Sequence, residues 1–231
     1  MKIMFAGDIH GDTKHLMWLY EHAIANEVDQ IISAGDFGYW PHLKWGKQYL
    51  DKVNTFAEAT KIPLYWVDGN HENHDWLDAL RETHGDDKPI PTDTEWVKWI
   101  PRGCRFTLNG YTFMGYGGAY SVDWEDRQLG YSWWKQELIN PYHLDNLSDD
   151  PVDVLITHEA PLGMEISYKD DIPVSVAQRE FVLDIQNKVI PRLHVCGHHH
   201  VRATWTSNET EVNVLGRDSM GEESVLIREF A

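Results

Sequence analysis

The chain has 231 residues and a formal net charge of −17, with 37 acidic against 20 basic side chains. That length suits one large domain, and a hydrophobic content of 42% is ample for a core. The acidic balance argues against a general binder of the nucleic-acid backbone, no run of about 18 apolar residues marks a transmembrane helix, and two distant cysteines, Cys104 and Cys196, imply no disulfide framework.

Residues 2–6 read as a buried strand that turns acidic at Asp8, too soon for a signal peptide, so a cytoplasmic location is expected. Residues 13–26 carry Leu16, Leu19, Ala23 and Ile24 at helical spacing. Strands are expected at 30–34 and 63–68 and helices at 46–59 and 73–83, the last capped by Asn73. This βαβαβα order predicts a largely parallel sheet with helices on its faces. The pattern then changes to strands at 95–100, 104–108 and 111–116, with Asn109-Gly110 as a hairpin turn. A loop-rich, Trp-rich stretch covers 117–150. Strand 153–157, helix 175–189 and strand 192–196 follow, and the chain ends in three strands, 202–206, 211–215 and 224–229, read as antiparallel. No linker interrupts this order, so residues 1–231 are expected to form a single domain of mixed sheets and helices, with 117–150 as an added element.

Five segments end apolar runs in polar residues: Gly7-Asp8-Ile9-His10-Gly11, Gly35-Asp36, Gly69-Asn70-His71-Glu72, Thr157-His158-Glu159 and Gly197-His198-His199-His200. In α/β sheets, ligands bind at the carboxyl ends of strands. Asp8 and His10 are two apart, as are His198 and His200, so in an extended stretch each pair shares a face and His199 looks elsewhere. Imidazole, carboxylate and amide donors together suit Mn, Fe or Zn better than an all-oxygen Mg or Ca cage. Asp36, with two oxygens, is the natural bridging carboxylate.

In order and spacing these blocks resemble the calcineurin-like metallophosphoesterase superfamily, in its small bacterial and phage-type branch. The resemblance runs from residue 7 to residue 200 and implies a four-layer α/β/β/α sandwich with two mixed sheets and a dinuclear metal centre. Carried over residue by residue, it implies one ion held by Asp8, His10, Asp36 and His200 and another held by Asp36, Asn70, His158 and His198. Manganese is the first expectation, with Fe or Zn as alternatives. His71 is implied as the general acid, protonating the leaving oxygen after in-line attack by a metal-bridging hydroxide.

Two departures bear on substrate. Protein phosphatases of the superfamily continue the second block to Asp-Arg-Gly; here Phe37-Gly38-Tyr39-Trp40 follows Asp36, with Tyr39 where the Asp would stand. The segment Gly117–Asp123, with Arg127, Trp133 and Trp134 after it, resembles an element of the small branch, and reads either as an aromatic-rich loop packed over the sheets or as a substrate wall. In such a wall Arg127 would grip phosphate, Trp133 or Trp134 would stack on a base, and Tyr39 would join them. The expected activity is a phosphodiesterase on small diesters such as cyclic nucleotides, with no duplex nucleic acid and no membrane as partner. A nuclease would need Arg102, Arg105, Arg127, Arg179, Arg192 and Arg202 to form a basic strip. A phosphomonoesterase or protein phosphatase, or a metal-binding module without turnover, are the remaining readings; the intact ligand set speaks against the last.

Overall fold

Strand alternation decides which side chains meet which layer. In β1 (Lys2–Ala6), Ile3 and Phe5 point to one face while Met4 and Ala6 point to the other, and all four are fully buried. A strand covered on both faces needs an unbroken apolar run, as the sequence supplies here. The computed structural model describes residues 1–167 and 172–231. Its first sheet has the order β12-β1-β2-β3-β5-β4. Here β2 is Gln30–Ser33, β3 Leu64–Trp66, β4 Ile90–Thr92, β5 Thr94–Trp99 and β12 Val225–Glu229. The core strands β1, β2, β3 and β5 are parallel, and the two edge strands are antiparallel to their neighbours.

The second sheet runs β10-β11-β9-β8-β7-β6. Its strands are β6 (Arg105–Leu108), β7 (Tyr111–Tyr116), β8 (Val154–Thr157), β9 (Leu193–Cys196), β10 (Ala203–Ser207) and β11 (Thr210–Val214). Ile3, Phe5, Ile32 and Val67 from one sheet share a core with Phe113, Val154, Ile156 and Val195 from the other, so the sheets pack face to face. On the outer face of the first sheet lie α1 (Thr13–Ala25), α2 (Lys44–Thr60) and α3 (His74–His84), through Leu16, Leu19, Tyr49, Val53 and Leu77. On the outer face of the second lies α4 (Pro173–Val189), through Val182, Ile185 and Val189. This is the expected α/β/β/α sandwich with two mixed sheets.

The chain's end departs from the antiparallel expectation. β10 and β11 do form an antiparallel pair, but β11 lies parallel to β9, and β12 crosses to the first sheet beside β1. Both moves bury apolar side chains that an exposed three-stranded meander would leave wet: Val212 and Val214 beneath β11, and Leu226 between the sheets. Strand β4 holds Pro91 and has no counterpart among the expected strands. Its place at the sheet edge, with a register shift at Pro91–Thr92, is where proline is tolerated. Asn109 and Gly110 both take positive φ, 50° and 83°, as the tight β6–β7 turn requires. Residues 117–150 hold three short 3-10 turns, 124–126, 135–137 and 141–146. Among the described residues no helix is long and apolar enough to cross a membrane.

Candidate metal centre

The loops after β1, β2 and β3 in one sheet and after β8 and β9 in the other open at the same end of the sandwich. They carry the five polar segments together. Asp8 Oδ2 is buried without a hydrogen-bond partner, and His200 Nε2 stands 3.1 Å from it. His10 Nε2 lies 3.3 Å from Asp36 Oδ2 and 3.9 Å from Asp8 Oδ2. One donor atom from each of Asp8, His10, Asp36 and His200 falls within 4.8 Å of all the others. A buried, orphaned carboxylate oxygen facing converging imidazoles fits a divalent transition metal, whose charge and ligand preference the cluster matches.

These residues do not reach the site by strand alternation. His10, Asp36, His198 and His200 all have positive φ, between 45° and 66°. Such backbone is strained for non-glycine residues and is held by surrounding contacts. The equal spacing of Asp8/His10 and His198/His200 therefore reflects two tight turns, and the extended geometry expected for them is corrected. His199 does look elsewhere: its Nε2 is 2.8 Å from Glu159 and its Nδ1 2.9 Å from Ser167. Two glycines make room for the approach. A Cβ at Gly35 would collide with the His158 ring, and one at Gly69 with the Asp36 carboxylate.

Beside this cluster, His158 donates its Nδ1 hydrogen to the Ala34 carbonyl at 2.8 Å. Its Nε2 thereby faces Asn70 Oδ1 at 3.1 Å and Asp36 Oδ1 at 3.4 Å. The His198 ring lies 5.0 Å from the His158 ring, and its backbone N–H donates to Asp8 Oδ1. Asp36 thus turns one oxygen to His10 and the other to His158.

Charge is held tightly here. Burial opposes ionisation of Asp36, yet His158, His71 and His10 keep its carboxyl well below the usual range. Burial likewise works against charge on His10, but Asp36, Asp8 and Asp218 push it up to about 10. His158 is lifted against burial to about 9, by Asp36 and Asp8. In metal-free protein at pH 8 both imidazoles therefore carry a proton that a metal must displace. Metal titration at pH 8 should release about one proton per ion bound through these histidines, and affinity should rise with pH up to about pH 10. Calorimetry in buffers of different ionisation enthalpy reads this release, and a titration without it would contradict the assignment of both histidines.

His71 stands at the rim, its Nε2 3.9 Å from Asp36 Oδ2 and its ring edge-on to His10. Its partner is Arg127, whose Nη2 donates to His71 Nε2 at 2.7 Å and also pairs with Asp123. Glu72 does not orient His71. Its fully buried carboxylate accepts the backbone N–H groups of Gly38 and Gly69, stapling the β2 loop to the β3 loop.

Two of the substrate-contact expectations are corrected. Tyr39 is a core residue, 4% exposed, with its ring against Trp66. Trp134 is 2% exposed, donates its indole N–H to Asp75 and packs beside Trp40 and His42. Neither offers a face to a ligand; both bury apolar area that the sequence pattern alone does not orient. Trp133 is half-buried beside Trp124, with ring centres 5.4 Å apart. Sequence reasoning missed Asp218, which holds His10 Nδ1 at 2.9 Å and so fixes which ring nitrogen faces the cluster. It also missed Ser121 and Glu137, behind Asn70.

The sequence pattern of the calcineurin-like phosphoesterases matches residues 1–202. No curated protein sequence matches the chain. Among solved structures, the chain is similar to TT1561 of Thermus thermophilus, with a TM-score of 0.62 at 14% identity over 99% of this chain and 98% of that one. A dimetal phosphatase from Danio rerio superposes with a TM-score of 0.57 at 12% identity, over 94% and 87%. GAP50, the anchor in the inner membrane complex of Plasmodium, gives 0.56 at 15% identity, over 98% and 76%. At such identities these likenesses speak to the fold, while the match over residues 1–202, on a chain whose Asp8, His10, Asp36 and His200 converge as a candidate metal site, shows that the chain belongs to the calcineurin-like phosphoesterase family.

Proposed function

We propose that this protein is a dinuclear-metal-dependent phosphodiesterase acting on small phosphodiesters, nucleotides among them. The observation that carries the reading is the split of Asp36, with Oδ2 3.3 Å from His10 Nε2 and Oδ1 3.4 Å from His158 Nε2. One carboxylate so placed serves two ions, one held with Asp8, His10 and His200, the other with Asn70, His158 and His198. Manganese is the expected metal, given the mixed nitrogen and oxygen donors. When bound, such ions supply Lewis-acid polarisation of a phosphoryl oxygen and an acidified water.

The charge balance is compatible with a diester. Two divalent ions held by Asp8 and Asp36, with one acidified water counted as hydroxide, leave an excess of about +1, and Arg127 is already paired with Asp123 at 2.7 Å. That excess matches the charge of a monoanionic diester. A nuclease has less support. Arg179 is fully buried, with N–H groups on the Pro161 and Met164 carbonyls. Arg102 is paired with Asp68 and donates to the Glu137 and Leu138 carbonyls. Neither is open to a backbone phosphate.

Arg127 and His71 act as a pair in this reading. Burial lowers the His71 pKa, and Arg127 lowers it further against the raising effect of Asp36, so the resting ring is a neutral acceptor for Arg127. A phosphate oxygen that draws the guanidinium away frees Nε2 to take up a proton from solvent, and the imidazolium so formed gives that proton to the leaving oxygen. The test is a screen of Mn-loaded protein against mono-, di- and cyclic nucleotides. His71→Ala should lower kcat on nucleoside diesters by roughly a hundredfold or more, and much less on activated aryl diesters. Full rates in His71→Ala on every substrate would remove the acid role, and a strict preference for monoesters would overturn the diesterase reading.

A further inference from the structure

Asn70 is the one amide in the proposed ligand set, and an amide works as a ligand only if its oxygen faces the ion. Nothing in the Asn side chain itself fixes that choice, since rotation by half a turn exchanges Oδ1 for Nδ2. The structure places a buried chain of polar groups behind it. Glu137 is fully buried; its Oε1 accepts the Ser121 backbone N–H at 2.7 Å and its Oε2 accepts the Ser121 hydroxyl at 2.8 Å. Ser121, 1% exposed, in turn stands 3.0 Å from Asn70 Nδ2.

Hydrogen counting gives this chain a direction. An ionised carboxylate has no hydrogen to donate, so the single Ser121 O–H must point at Glu137. The Ser121 oxygen then presents only lone pairs to Asn70 and requires the NH2 end of the amide. Asn70 Oδ1 is driven to the opposite side, where it lies 3.1 Å from His158 Nε2. His158 donates its Nδ1 hydrogen to Ala34, so Nε2 is the nitrogen that faces Asn70: in the metal-free protein its hydrogen takes only Oδ1 of the amide as acceptor, and once a metal displaces that proton Nε2 presents a lone pair there. With that proton displaced, oxygen and nitrogen lone pairs share one space beside Asp36 Oδ1.

We propose that Ser121 and Glu137 are positioning residues that lock the Asn70 amide with its oxygen toward the second ion. The inference rests on the two-ion reading above. It also gives residues 117–137 a task other than walling in substrate: the segment that carries Arg127 to His71 sets the polarity of a metal ligand through its two ends. The segment is itself anchored, with Ala119 N–H and Arg102 both on the Glu137 carbonyl.

Glu137→Gln separates this role from mere packing, because the two side chains are isosteric. The Ser121 backbone N–H needs an acceptor, so the Gln oxygen must take it, and the Gln NH2 is left facing the Ser121 hydroxyl. That hydroxyl then turns its hydrogen to Asn70 and calls for Oδ1, reversing the amide. Mn2+ titrations followed by calorimetry at pH 8 read the result; Glu137, which burial lifts to about 7 against its Ser121 bonds, is ionised there. Wild type should bind two ions. Glu137→Gln should weaken the second about a hundredfold and Ser121→Ala about tenfold, and Ser121→Thr, which keeps the hydroxyl, should stay close to wild type. The first ion should be unchanged in all three. Adding Asn70→Asp to Glu137→Gln should restore the second ion, because a carboxylate accepts the Ser121 hydrogen and still offers an oxygen to the metal. Wild type that binds a single ion overturns the two-ion reading together with the relay. Two ions in wild type with both affinities intact in Glu137→Gln, or no recovery in the double variant, overturn the relay alone. If Glu137→Gln fails to fold, unchanged second-ion affinity in Ser121→Ala does the same.

Discussion

Asp36→Asn is expected to lose both metal ions and to lower phosphoesterase turnover by at least about a thousandfold, since metal-ion charge stabilisation supplies several kcal/mol of the barrier reduction. The substitution keeps shape. An Asn oxygen can still accept the His71 backbone N–H that Asp36 Oδ1 takes at 2.9 Å. What it removes is the negative charge and the second oxygen. Every other ligand serves one cluster, whereas Asp36 turns Oδ2 to His10 and Oδ1 to His158. The same charge holds protons on both imidazoles in metal-free protein, so the His10 and His158 pKa values should fall in the variant. Metal analysis, initial rates and histidine NMR titration check the three consequences. A variant with wild-type metal content would contradict the shared role of Asp36.

Glu72→Ala is expected to be the most damaging change to stability near the site, by about 4 kcal/mol, because it strands two buried N–H donors at about 1–3 kcal/mol each and leaves a cavity. The donors are the Gly38 and Gly69 backbone groups, on the loops after β2 and β3 that carry Asp36 and Asn70. For a chain of this size the loss corresponds to a Tm lower by roughly 12 °C. Burial, then the charge of Asp36, push the Glu72 carboxyl up to about 8 in metal-free protein. A raised carboxyl pKa means the folded state holds a proton that the unfolded state has released. Its contribution to stability is therefore lost as pH rises from 4.5 to about 8, and the alanine variant should lack that slope. Thermal unfolding at pH 5, 7 and 9 measures both effects; a Tm within about 2 °C of wild type would show that the staple contributes little.

The contrast between Glu72 and His71 shows how far a sequence reading reaches. The ligand types and their strand-end positions are legible because apolar runs ending in Gly-Asp, Gly-Asn-His or Gly-His repeat five times along one chain. The layers are legible because strands buried on both faces need unbroken apolar runs, as β1 and β8 have. The local geometry is not legible. His10, Asp36, His198 and His200 reach the centre through left-handed backbone that period-two reasoning does not foresee. The outer partners are legible only where they adjoin a motif, and most do not. Asp218 reaches His10 across 208 positions of sequence and Glu137 lies behind Ser121, each fixed by tertiary packing. Aromatic residues mislead for the same reason. Trp133 and Trp134 are adjacent in sequence, yet one is buried against α3 through Asp75 and the other lies beside Trp124.

In the proposed phosphodiesterase centre one carboxylate, Asp36, joins two ligand sets. Anomalous X-ray diffraction from crystals of the Mn-loaded protein tests it directly. Two manganese peaks are expected, about 3.5–4 Å apart, with Asp36 between them, Asp8, His10 and His200 around one, and Asn70, His158 and His198 around the other. A single peak at full manganese loading, or a second peak without Asp36 among its ligands, would contradict it.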